Sequence, residues 1–97
     1  MISTRECTIL GALMAVSNMG HTVDEDMVLD AISRYSPRRG PEDLVLTIAQ
    51  PWIEDDNSED AFMQEAESWG RTLGGNSWLT IETTWSHHKW WFDLVHD

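Results

Sequence analysis

The last twenty residues, Trp78 to Asp97, hold four of the six tryptophans in the chain and constrain its fold more than any other stretch. Rings of that size need cover, so the structure these residues adopt decides where a core can sit. Trp78 to Trp85 is rich in Thr, Ile and Trp, and Trp90 to Val95 is almost wholly apolar or aromatic. Ser86, His87, His88 and Lys89 make a polar break between them, and β-branched or aromatic runs flanking such a break predict a β-hairpin. With those four residues as the loop, Trp85 faces Trp90 as a buried cross-strand pair, Thr83 faces Phe92, Ile81 faces Leu94 and Leu79 faces His96. The opposite face then carries Trp78 and Trp91 among Thr80, Glu82, Thr84, Asp93 and Val95, leaving two large rings on a mixed surface.

Ninety-seven residues, 41% of them hydrophobic, suffice for one core and not for two, so residues 1–97 are expected to form a single domain. No apolar run approaches the roughly eighteen residues of a membrane span. Arg5 is followed at once by Glu6, and Cys7 to Val16 is a short apolar run without a small-residue cleavage site, which points away from a secretory leader and towards the cytoplasm. The single cysteine, Cys7, reads as a small buried residue.

Ser3 and Glu6 form a capping-box pattern ahead of a helix running to about Asn18, with apolar residues most of the way round. This is expected to be the most buried helix, packed under the hairpin and closed by Gly20. Thr22 and Glu25 repeat the capping box. Val23, Met27, Val28, Ala31, Ile32 and Tyr35 then follow at helical spacing, with Asp30 and Arg34 as an exposed pair. Ser36 to Gly40 reads as a loop. Pro41 to Gln50 stays open: Pro41, Glu42 and Asp43 make a good helix start, yet Leu44 to Ile48 would serve equally as a third, buried strand. Beyond a polar acidic loop, with Asn57 or Ser58 as the expected N-cap, Phe62, Ala66, Trp69 and Leu73 mark an amphipathic helix that Gly74 and Gly75 close. The predicted fold class is therefore α+β, three or four helices packed on a small antiparallel sheet with a C-terminal β-hairpin.

Charge narrows the possible partners. Seventeen acidic residues against six basic ones give a net charge of −11, which opposes approach to a phosphate backbone and makes direct nucleic-acid binding an unfavourable reading. Between Arg39 and Arg71 there is no basic residue, while nine acids fall there. The order of helices followed by a hairpin has the topology of a winged helix-turn-helix, but a fourth helix intervenes and Asp24 to Tyr35 carries a single cation where a DNA-reading helix needs several.

No stretch carries a catalytic or cofactor signature. His21, His87, His88 and His96 lack zinc-finger or i,i+4 spacing, so neither a metal nor any other cofactor is expected. Gly74 and Gly75 follow a helix instead of opening one, unlike a phosphate loop, and no serine or cysteine sits in a nucleophile motif. What remains is surface. The acidic run Glu54, Asp55, Asp56, Glu59 and Asp60, with the exposed rings of Trp78 and Trp91, forms the candidate site for a protein partner with a basic surface, such as one that binds nucleic acid. In size, acidity and lack of motifs the chain resembles phage-encoded inhibitors of host defence, anti-CRISPR proteins among them, which implies a DNA mimic acting by contact. The alternatives are an assembly protein that forms homo-oligomers through Trp and Met surfaces, and a small enzyme.

Overall fold

The computed structural model describes residues 2–35 and 40–96, and most of the expected Ser36–Gly40 loop, with Pro37, Arg38 and Arg39, lies outside them. Among the described residues there are six α-helices and no strand, so the α+β expectation is overturned. The helices are α1 (Thr4–Asn18), α2 (Glu25–Arg34), α3 (Pro41–Ala49), α4 (Asp56–Leu73), α5 (Trp78–Thr84) and α6 (Lys89–Val95). None of them is long and apolar enough to cross a membrane.

Local chemistry sets most of the helix ends. The Ser3 hydroxyl accepts from the Glu6 N–H at 3.2 Å and the Glu6 carboxylate accepts from the Ser3 N–H at 2.9 Å, completing the expected capping box. Gly20, at φ 90°, follows the end of α1. The second helix starts later than expected, because Asp24 and not Thr22 caps it, accepting from the Met27 N–H at 2.9 Å. Asp30 and Arg34 are paired at 3.0 Å on its outer face. Residues 41–49 resolve as a helix with Pro41 in its first turn, burying Leu44, Val45, Ile48 and Ala49 as one stripe.

That last outcome bears directly on the C-terminus. With residues 41–49 helical no third strand is on hand, and a two-stranded hairpin alone leaves both edges unpaired and is marginal in water. Residues 78–95 fold instead as α5 and α6, joined by a 3-10 turn at Ser86–His88. Ser77 caps α5, its hydroxyl accepting from the Thr80 N–H at 3.2 Å. The hydroxyls of Thr83 and Thr84 donate to the Leu79 and Thr80 carbonyls one turn back, so side chains with a preference for strands are accommodated in a helix.

The helical arrangement rearranges the tryptophans. Trp85 and Trp90 are not a buried pair: Trp85 is half-buried and meets Trp69 edge-on at 6.0 Å, while Trp90 is 38% exposed. Trp69, expected in the core, is itself only half-buried. Trp91, expected at the surface, is 4% exposed and stacks on His88 at 4.1 Å, joining Ile81, Phe92 and Val95 in the core.

α1 is the axis of the bundle. Eight consecutive residues, Ile9 to Val16, are buried, and α3, α4 and α6 pack around them. Against α4 the approach is close enough to exclude a side chain at Gly11, where a Cβ would lie 2.7 Å from the Ala66 carbonyl oxygen. The two helices run antiparallel, with Cys7 beside Gly70 and Asn18 bonded to Glu65.

One buried charge ties the termini of the described chain together. Glu6, 6% exposed, accepts from Ser3 and lies 3.3 Å from Nδ1 of His96, whose ring packs against Trp78 at 4.2 Å. Burial alone would push the Glu6 carboxyl up, but the Ser3 backbone and side-chain hydrogen bonds and the His96 ring together outweigh it and hold the pKa below the ordinary range. A carboxyl depressed in the folded state stabilises the protein above its unfolded value, about 4.3, and loses that contribution as pH falls through the folded value. Glu6→Gln is therefore expected to be less stable than the parent at pH 7, with the gap closing below about pH 4. Urea melts of both proteins across that range check this, and a gap that stays constant in acid would show that the Glu6 charge contributes nothing.

Candidate functional site

The five acids of the run gather at one helix start. Asp55 is the N-cap of α4: its carboxylate accepts from the Ser58 N–H at 2.8 Å, and the Ser58 hydroxyl accepts in turn from the Glu54 and Asp55 N–H groups at 2.9 and 3.0 Å. The cap thus lies two to three residues earlier than Asn57 or Ser58, and α4 gains a turn. Asp56 and Glu59 fall in that first turn, where the free N–H groups of the helix favour negative charge, and this lowers the cost of holding five carboxylates together. Glu54, Asp55, Asp56 and Asp60 are exposed, and Glu59 is half-buried. Among the described residues none of the five meets a cation.

The two tryptophans expected to share this site do not. Trp78 packs against Phe92 at 6.1 Å and against His96, which places it beside Glu6 at the N-terminal end of α1. Since Asn18 at the other end of α1 meets Glu65, the acidic turn lies further along α4, at the opposite end of the bundle. Trp91 is in the core, where no partner reaches it.

Among the hollows on the surface of the described residues two stand out, and neither corresponds to a stretch of sequence. The larger, about 440 Å³, is an open-sided groove between α1, α3 and α4. Its apolar lining comes from Cys7, Val45, Met63, Ala66 and Gly70. Glu42 stands on one side, and Glu67 and Arg71, paired with each other at 2.8 Å, stand on the other. Burial, with the neighbouring Glu6 charge, pushes the Cys7 thiol up, so the group at the base of the groove is a neutral thiol. The only trace of this groove in the sequence is the helical spacing of Met63, Glu67 and Gly70 from Asp60, which puts them on one side of α4.

The smaller hollow, about 350 Å³, lies where the end of α1 and the middle of α4 meet the turn between α5 and α6, and Trp69, Trp85, His87 and His88 wall it. Burial first, and the adjacent His87 second, lower the pKa of His88. Among the described residues no three His, Cys, Asp or Glu side chains converge on a point that could hold a metal ion. No protein-family model, curated protein or solved structure matches the chain.

Proposed function

We propose that the protein is a non-enzymatic binding domain of the cytoplasm, which uses the acidic start of α4 to engage a basic surface on another protein. A basic surface of that kind ordinarily meets phosphate, so the reading extends to a DNA mimic that occupies a nucleic-acid site, as a phage-type inhibitor of the anti-CRISPR kind would. The observation that carries the proposal is the concentration of Glu54, Asp55, Asp56, Glu59 and Asp60 about one capped helix turn, with no cation of the described chain against them. Such an array is fixed by the fold before any partner arrives, and fixed charge steers association more than it adds final affinity.

The test separates binding from solubility. Asp55→Asn, Asp56→Asn and Glu59→Gln are combined; Asn caps a helix as well as Asp does, so stability is expected to stay within about 1 kcal/mol of the parent. A cationic partner recovered by pull-down is then mixed with each protein in stopped flow over a range of ionic strength. The parent is expected to associate about tenfold faster than the variant at low salt, with that advantage vanishing as salt rises. Equal rates with a flat salt dependence would make the acidic turn a solvated surface and nothing more.

A further inference from the structure

The apolar groove lies on the same side of α4 as two acids of the turn, Asp56 and Asp60, and begins at Met63, one turn beyond Asp60. Asp56, Asp60, Met63 and Glu67 fall at i, i+4, i+7 and i+11 of α4, so the acids lead along one side of the helix directly into the groove that Met63 and Glu67 border. Across the groove Glu42 adds a carboxylate from the first turn of α3. Arg71 does not reverse this sign, because Glu67 already holds it at 2.8 Å.

We propose that the groove is the anchor of the interface, taking one large apolar side chain from a protein segment whose neighbouring lysines or arginines reach Glu42 on one side and Asp60 and Asp56 on the other. The inference rests on the acidic-partner reading above and adds where the partner is gripped. Charge alone gives a fast but loose encounter, and interfaces are held by a few apolar or aromatic anchors buried in pockets within a polar rim. The groove is the described surface that supplies such a pocket beside the acids, and its apolar floor of Val45, Met63 and Ala66 rewards burial of a leucine, methionine or phenylalanine.

Three features favour a polypeptide over other occupants. The groove is open along its side, whereas sites for small molecules enclose most of their ligand. The acids extend from Glu67 to Asp56, eleven residues or about 16 Å of helix, further than a small ligand spans. A second copy of the chain would bring the same carboxylates and a net charge of −11 towards their like.

Gly70 offers a position from which the groove can be filled. It lines the groove outside the positive-φ region, and a Cβ there would meet only the Cys7 carbonyl oxygen at 3.9 Å, so the side chain of Gly70→Leu can start into the groove without a backbone clash at its first atom. Random short peptides displayed on phage are selected on the parent protein. The expected winners carry an apolar residue flanked by Lys or Arg, and bind Gly70→Leu about tenfold or more weaker than the parent. A second measurement needs no variant: Cys7 is the single thiol of the chain and lines the groove, so a bound peptide should slow its alkylation by iodoacetamide.

Basic peptides that bind parent and Gly70→Leu alike, leave Cys7 reactive and fail only on the triple acidic variant would overturn the anchor while leaving the acidic reading intact. Winners without cations, a dimer in light scattering that Gly70→Leu abolishes, or no enrichment at all would each overturn the proposal.

Discussion

Phe92→Ala is expected to lower the free energy of unfolding by about 3–5 kcal/mol, a large share of what a domain of this size possesses. Phe92 has no solvent exposure, meets Trp78 edge-on at 6.1 Å and sits on α6 where that helix packs on α1. Truncation leaves a cavity lined by an indole and aliphatic side chains that a bundle this small cannot refill. Trp90→Ala is the informative companion, since Trp90 is 38% exposed and meets Trp91 edge-on at 5.8 Å. Its loss should cost less than about 1 kcal/mol. A hairpin would reverse the order, because Trp90 would then be the buried half of a cross-strand pair. Urea denaturation followed by far-ultraviolet circular dichroism ranks the two, and a Trp90→Ala cost equal to that of Phe92→Ala would refute the helical packing.

Gly11→Ala is expected to cost roughly 2–3 kcal/mol, although alanine in the middle of a helix is usually better than glycine by up to about 1 kcal/mol. The added methyl would stand 2.7 Å from the Ala66 carbonyl oxygen and 3.1 Å from the Gly70 nitrogen. Both obstacles are backbone atoms of α4, so no rotamer change relieves them, and α1 must move off the helix it packs against most closely. Gly70→Ala, on the other side of the same crossing, has room and should instead gain up to about 1 kcal/mol. In thermal melts this becomes a fall of about 10 °C for the first variant and a small rise for the second. Opposite signs from two Gly→Ala changes on facing helices would report the α1–α4 distance itself, and a stabilised Gly11→Ala would place the helices further apart.

Where structure follows from neighbours in sequence, the sequence is a good guide. The Ser3–Glu6 capping box, the Asp30–Arg34 pair and the core stripe Phe62, Ala66 and Leu73 each depend on residues a few turns apart at most, and each forms as its spacing implies. The acidic turn is legible as a run of charge, but its N-cap falls at Asp55 and not at Asn57 or Ser58. The C-terminal twenty residues mislead because two periods can be drawn through them: Leu79, Ile81, Thr83 and Trp85 alternate as in a strand, while Trp78, Ile81 and Trp85 fall at helical spacing. Threonines and indoles tilt the choice towards β, but a segment of seven residues is too short for periodicity to arbitrate. What decides is remote, namely the burial of Ile81, Phe92 and Val95 in a core built around α1 and the helical state of residues 41–49. The same mistake displaced Trp91 from the core to the surface. The groove was illegible for a related reason, since Cys7, Val45 and Met63 come together only when three helices assemble.

The central position of α1 has a consequence for how the protein is made. This helix leaves the ribosome before the segments that bury it, and its closest partner, α4, is complete only at Leu73. The Asn18–Glu65 bond already spans 47 residues. Until then Ile9 to Val16 form an apolar cylinder with no polar side to turn to the solvent, a surface that invites association with other nascent chains or with chaperones. Synthesis up to the end of α4 is thus the hazardous interval for this protein, and a pause in translation before α4 emerges would lengthen it.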